Sequence, residues 1–235
     1  MISPAWRTRV ASICAVALAG FVALAAVVAG GRSTSFDSWM FAKLYADIGD
    51  GPAAVLLGAS TPALSIGMCG AVALVAAMLR RFELTALAVV APTLTVVLTK
   101  FVLKPLLGRQ YGSNEVAEPV LGRQIFDDRF ELTGVFPSGH ESAVAATACV
   151  LVVVAFQLPL TRRWRAALLT VIAAWTLLAA VGLVRNFWHY ATDTIGAMLL
   201  AITVVFGTAL AIDAYGATLV RRLRPAGDQE LSRRG

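Results

Sequence analysis

Charge is what this chain has least of. Asp, Glu, Lys and Arg together make up 14% of its 235 residues, whereas a soluble domain carries about a quarter. With 58% hydrophobic residues and a mean hydropathy of +0.76, that scarcity excludes an ordinary soluble domain and indicates an integral membrane protein. Cysteine is scarce too. Cys14, Cys69 and Cys149 fall in three different apolar runs with no metal or redox spacing, which argues against a disulfide framework and leaves them as small core residues. There is no internal repeat and no Ser/Gly/Pro-rich linker, so a single helical domain is expected over 1–220, followed by a basic tail at 221–235. Histidine, finally, occurs only twice.

What is abundant is apolar sequence in long runs. These lie at 10–30, 53–79, 84–103, 141–160, 166–184 and 194–216, most of them near the ~20 residues that a helix needs to cross the hydrocarbon core. The expected fold is therefore all-α, a bundle of six transmembrane helices. The first run, behind Arg7 and Arg9, has two readings: a first span, or the apolar stretch of a cleaved signal peptide. The net charge of +6 is distributed by topology and does not point to nucleic acid. Arg7 and Arg9, then Arg80 and Arg81, then Arg162, Arg163 and Arg165, then Arg221, Arg222 and Arg224 occupy alternate connections. By the positive-inside rule that side is cytoplasmic, both termini included. The partner implied is the lipid bilayer.

The connections on the other, outward side hold the unusual chemistry. The longest polar stretch, 104–137, exceeds a simple connector and reads as a lid or a wall of a site. At its end begins Pro137-Ser138-Gly139-His140. Pro137 and Ser138 mark a helix start, where unpaired N–H groups and the positive dipole end attract an anion. Gly139 would let that anion approach the backbone, and His140 beside it titrates near neutral pH. Read alone, the motif is equally a capped helix with an interfacial histidine. The second histidine stands in Arg185-x3-His189-x3-Asp193, a spacing that puts all three on one stripe if the segment is helical. Asp193 could then orient the imidazole and Arg185 could fork onto a phosphate, or the pair could be an interfacial salt bridge. Lys104 and Arg109 open the long connection, where snorkelling basic side chains are common. Basic residues on the outward face run against the positive-inside trend, and an anionic substrate would account for them. Lys100, one turn deeper, would need a partner of its own.

These blocks, in this order, resemble the type 2 phosphatidic acid phosphatase superfamily, which also includes bacterial acid phosphatases, glucose-6-phosphatase-like enzymes and vanadium haloperoxidases. The superfamily pattern runs Lys-x6-Arg-Pro, Pro-Ser-Gly-His, Ser-Arg-x5-His-x3-Asp. The second block is complete at 137–140 and the third keeps His189 and Asp193. Two departures stand out: the Arg-Pro pair falls on Tyr111 and Gly112, and the Ser-Arg pair on Gly182 and Leu183. Both arginines are displaced, to Arg109 and Arg185.

The resemblance implies six spans with an outward site and hydrolysis of a lipid phosphate or diphosphate: a polyprenyl phosphate, phosphatidic acid or phosphatidylglycerol phosphate. His189 would be the nucleophile, Asp193 its orienting carboxylate and His140 the acid and base. Lys104, Arg109, Ser138, Gly139 and Arg185 would hold the phosphate. No cofactor and no metal is implied, and Asp127-Asp128 reads as a solvated charge pair rather than a magnesium site. The location implied is the inner (plasma) membrane of a bacterial envelope, with the site facing the periplasm or exterior. A phosphotransferase of the same fold and a non-catalytic lipid-binding or transport protein are the alternatives. The sequence carries no signal for oligomeric state.

Overall fold

The apolar runs fold as helices, and no strand occurs among the described residues. The computed structural model describes residues 4–29, 31, 33–44, 50–109 and 134–223. Residues 110–133, with Tyr111, Gly112, Asp127 and Asp128, lie outside them, as do those from Arg224 onward. In chain order the helices are α1 (Pro4–Val28), α2 (Ser35–Leu44), α3 (Asp50–Gly58), α4 (Pro62–Met78), α5 (Phe82–Val97), a π-helical turn (Leu98–Leu103), α6 (Lys104–Leu107), α7 (Gly139–Gln157), α8 (Arg162–Arg185) and α9 (Ala191–Leu223).

Among the described residues, five stretches are long and apolar enough to cross a membrane: Trp6–Val28, Phe82–Leu107, Gly139–Gln157, Arg162–Arg185 and Ala191–Gly216. The expected span at 53–79 is not one continuous helix. It divides into α3 and the 17-residue α4 at Ser60-Thr61. Pro62 disfavours a helical residue before it, and the hydroxyls of Ser60 and Thr61 donate back to the carbonyls of Leu57 and Gly58 at 2.7 and 2.9 Å. The break is served by a neighbour: the Trp175 indole on α8 donates to the Ala59 carbonyl at 3.0 Å. Non-helical backbone at membrane depth requires such partners.

At the centre of the bundle stands α7, which packs against α4, α5, α8 and α9, while α1 lies along α9. The shared core is built largely from small residues: Ala88 and Ala91 of α5, Ala145, Ala146 and Cys149 of α7, Ala201 and Ala209 of α9. In lipid the hydrocarbon solvent is as apolar as Leu, so close approach of backbones and dispersion contacts carry helix association. α3 and α8 approach closely, so that a β-carbon on Gly182 would overlap the Leu56 carbonyl oxygen.

A second core, of Phe41, Val135, Val184, Phe187, Tyr190 and Ala191, packs beneath the end of the bundle where α9 begins. Toward its other end α9 pairs Asp213 with Arg7 of α1 at 2.7 Å. Twenty residues of helix, about 30 Å, separate that ion pair from Asp193.

Gly182→Ala is expected to cost ~1–3 kcal/mol through overpacking against backbone, read as a lower melting temperature in detergent. Gly207→Ala, whose added carbon would meet no atom within 4 Å, should leave it unchanged.

Candidate active site

The site is assembled from four pieces of chain at one end of the bundle. The first is the end of α5, where the π turn widens the helix; such turns recur at functional positions. It presents Lys100, and Lys104 follows at the start of α6. The Thr99 and Ser142 hydroxyls pair at 3.0 Å and join the turn to α7. α6 is closed by Gly108 in the left-handed region, φ 57°, which reverses the chain and sends Arg109 back into the protein, fully buried. Gly134 (φ 65°) and Val135 return to the same place. The Val135 N–H donates to the Arg109 carbonyl at 2.8 Å, and a β-carbon on Gly134 would lie 2.9 Å from the Lys104 carbonyl oxygen. The two ends of the long connection are therefore pinned together.

The second piece is the start of α7. Ser138 caps it, its Oγ accepting the Glu141 N–H at 3.3 Å. Its own N–H donates to the Asp193 carbonyl at 3.1 Å, which ties this turn to α9. Across the first turn lies the side chain of Lys100, whose Cε would be 3.9 Å from a β-carbon on Gly139. The ammonium groups of Lys100 and Lys104 have no hydrogen bond or ion pair among the described residues.

The third piece decides whether Arg185, His189 and Asp193 share one helical stripe, and they do not. Helix α8 ends at Arg185, a tight turn follows with Phe187 at φ 58°, and α9 begins only at Ala191. Bonds from the N–H groups of Asn186, Phe187 and Trp188 to the carbonyls of Gly182, Val184 and Leu183 close the turn at 3.1, 3.0 and 2.9 Å. His189 thus precedes α9 and is not carried on a helix, while Asp193 lies in its first turn. Asp193 Oδ2 reaches back to accept the Tyr190 N–H at 3.0 Å, as the acidic member of a capping box does.

The turn brings the two histidines together. Their ring centroids are 6.4 Å apart, and His140 meets Trp188 edge-on at 5.3 Å. His189 is buried, with Nδ1 3.5 Å from Asp193 Oδ2, too long for a well-formed hydrogen bond but close enough for the carboxylate to act on the ring. With Nδ1 turned to the carboxylate, Nε2 is the nitrogen left for chemistry. Burial pushes the His189 pKa below the ordinary 6.5; Asp193 pulls it back up, and the cations of Lys104 and Arg109 add to the lowering. A neutral imidazole with an orienting carboxylate, a second imidazole and unpaired ammonium groups is a constellation suited to nucleophilic attack on a phosphorus centre.

The fourth piece, α2, carries no residue expected from the sequence. Asp37 is fully buried and accepts hydrogen bonds from the N–H groups of Thr34 and Thr192, both at 2.9 Å, from their hydroxyls, and from Arg109 Nη2 at 2.9 Å. Arg109 Nη1 donates to Asp193 Oδ1 at 2.6 Å and to Thr192 Oγ1 at 2.7 Å, and its guanidinium lies 4.4 Å over the Tyr190 ring. Arg109, expected on a phosphate, thus stands behind Asp193 with both terminal nitrogens on protein acceptors. Arg185, the other displaced arginine, closes α8 half-buried. Leu183, where the superfamily pattern has arginine, is fully buried in the core. Thr34-Ser-Phe-Asp37 does have a local signature, the Thr-x-x-Asp of a helix start. Nothing in it announces the arginine 72 residues away. Trp188, Thr192 and Tyr190 had no signal beyond lying beside His189 and Asp193.

A family model described as the PAP2 superfamily matches residues 85–216, more than half of the chain. No curated protein and no solved structure shows significant similarity to it.

Because His189 is held neutral, acid favours the unfolded chain, whose free imidazole takes up a proton near 6.5 while the folded one does so only at lower pH. Stability in detergent should therefore fall as pH drops below 6.5. His189→Gln should show a shallower loss over the same range in a pH series of thermal melts.

Proposed function

The chain belongs to the PAP2 superfamily, and on that premise we propose that it is an integral membrane phosphatase acting on a lipid phosphate or diphosphate through a phosphohistidine. The observation that carries this reading is the meeting of His140 and His189, 49 positions apart in sequence, at 6.4 Å with Asp193 behind the second. In the proposed reaction His189 Nε2 attacks phosphorus. The bond to the leaving oxygen breaks as His140 gives that oxygen a proton. Water, deprotonated by His140, then attacks the phosphohistidine, releasing phosphate and restoring both imidazoles. Charge on the equatorial oxygens is met by Lys104, by the Gly139 N–H at the capped start of α7, and by Arg185 from the end of α8. Such preorganised electrostatics are the main lever in phosphoryl transfer.

Six spans are proposed, with α3 and α4 together forming the second. Charge alternation supports cytoplasmic termini and a site on the outer face of the plasma membrane. A lipid substrate is supported by the setting. A groove of about 360 Å³ between α4, α5 and α7 is lined by Ile66, Val89, Pro92, Val97, Ala143 and Thr147. Ala143 and Thr147 follow His140 at the three- and seven-residue spacings that share one helix face, so a hydrocarbon chain held there would lie beneath a headgroup at the histidines. A non-catalytic lipid-binding protein is the second reading, favoured by the buried Leu183 at an arginine position of the pattern.

Release of phosphate from polyprenyl phosphates, phosphatidic acid and phosphatidylglycerol phosphate in detergent tests the proposal. His189→Ala should abolish turnover and His140→Ala should lower kcat by about 10²–10⁴-fold, and EDTA should leave the rate unchanged. Brief incubation with ³²P-labelled lipid should trap an acid-labile, alkali-stable label on His189. Activity retained without either histidine, or lost with EDTA, would sink the mechanism. Transfer of the label to an added alcohol would mark a phosphotransferase.

A further inference from the structure

The proposed reaction leaves Asp37 without a task, although it takes part in the most heavily buried charge cluster described. Asp37, Arg109 and Asp193 are all fully buried, and they come from α2, from the residue after Gly108 and from α9. Burying three charges costs several kcal/mol per ion before their mutual attraction is counted. Bundle assembly alone does not call for this arrangement, since the same end is already packed by Phe41, Val184 and Tyr190.

The cluster has a direction. Asp193 divides its oxygens: Oδ1 takes Arg109 at 2.6 Å, and Oδ2 takes the Tyr190 N–H at 3.0 Å and faces His189 Nδ1 at 3.5 Å. Arg109 therefore competes with His189 for the same carboxylate. A guanidinium paired with Asp193 alone would neutralise the charge that a phosphorylating imidazole relies on. Asp37 takes the other terminal nitrogen of Arg109 and brings the cluster to a net charge of −1. It also accepts the Thr192 N–H and hydroxyl, one residue before Asp193, which fixes where the first turn of α9 sits.

We propose that Asp37 is a positioning residue for the reaction: through Arg109 and Thr192 it fixes Asp193 and leaves that carboxylate charged toward His189. Arg109 is then also a positioning residue, and the phosphate is left to Lys104, Arg185 and the start of α7. The inference rests on His189 as the nucleophile for its consequence in catalysis, but its physical content is the charge felt by His189, which is measurable without turnover.

The charged groups bearing on His189 are Asp193 from α9, Lys104 from α6 and Arg109 after it. The titratable His140 faces it from α7, and α8 ends in Arg185. Because the chain has only two histidines, His140→Gln leaves His189 as the sole imidazole, and ¹⁵N-histidine labelling of the detergent-solubilised protein gives one titrating signal. Adding Asp37→Asn should move the midpoint of that signal to lower pH by at least ~0.5 unit, since a negative charge has been removed. Adding Asp37→Glu should return it to within ~0.2 unit of the parent.

In a protein with both histidines, Asp37→Asn should lower kcat for lipid phosphate about 10–100-fold, with KM changed less than about threefold. The acid limb of its kcat/KM profile should shift in the same direction as the titration. Should Asp37→Asn not fold, Thr192→Val keeps all three charges and removes one acceptor of Arg109 Nη1, and it should move the midpoint the same way. An unmoved midpoint in a folded variant overturns the proposal, as does a raised KM at unchanged kcat. A wild-type chain that turns over no lipid phosphate, yet shows the shifts, would sink the phosphatase reading and leave the charge coupling standing.

Discussion

A guanidinium with no exposed surface, set between two carboxylates, joins the pieces of chain that make the histidine-bearing end of this bundle. Arg109 reaches Asp37 on α2 and Asp193 on α9, and its backbone carbonyl receives Val135 as the chain returns toward α7. Each of these segments begins or ends a helix, where backbone groups lack partners within the helix. The cluster meets that need and the need for charge balance with the same atoms. Asp37 accepts the Thr34 N–H at the start of α2, and Asp193 accepts the Tyr190 N–H at the start of α9. Two capping residues thus serve as the two counter-ions of one arginine, and the register of both helices is set by a single buried cation.

Below this end the bundle follows different rules. Where lipid is the solvent, apolar burial gives little preference for one helix neighbour over another, and specificity comes from shape and from polar groups that must find partners. The alanine-lined contact among α5, α7 and α9 and the Gly182 approach of α3 supply shape. The Trp175 bond to the Ala59 carbonyl, and Cys69 with Thr147 at 3.3 Å, supply the polar pairing. The close-packed helices give the turns at this end a common base, and the short reversal at 186–190 sets His189 opposite His140.

What could be read from sequence was what local chemistry determines. Ser138 announces the start of α7 because a hydroxyl before a helical run has one favourable use, and the structure finds it capping Glu141. The apolar runs were legible because length against bilayer thickness is a strong filter. The break in 53–79 was written in Ser60-Thr61-Pro62, yet an unbroken hydropathy signal masked it. His189 and Asp193 are legible as a pair, but their i,i+4 spacing does not tell a helix from a turn, and Phe187 gives no warning of a left-handed backbone. Asp37 and the orientation of Arg109 were not legible at all. Their pairing spans 72 positions and depends on how α2 folds over the start of α9, which no local pattern encodes.

The displaced arginines take on a different meaning once Arg109 is located. A superfamily pattern read as a string asks whether an arginine two positions away can substitute for the missing one. The folded chain divides the cations by depth instead. On the histidine side stand two ammonium groups, Lys100 and Lys104, on flexible stems with no protein acceptor among the described residues. The one behind Asp193 is a planar fork held by two carboxylates. The forked geometry suits a fixed bridge between two acceptors, and the rotatable ammonium suits a ligand that arrives, changes charge during reaction and leaves. On the proposed reading, moving the arginine two positions upstream took it off the phosphate and put it behind the nucleophile. Its loss from the pattern is then a change of task for the same residue type, with Asp37 as the counter-charge the new task requires.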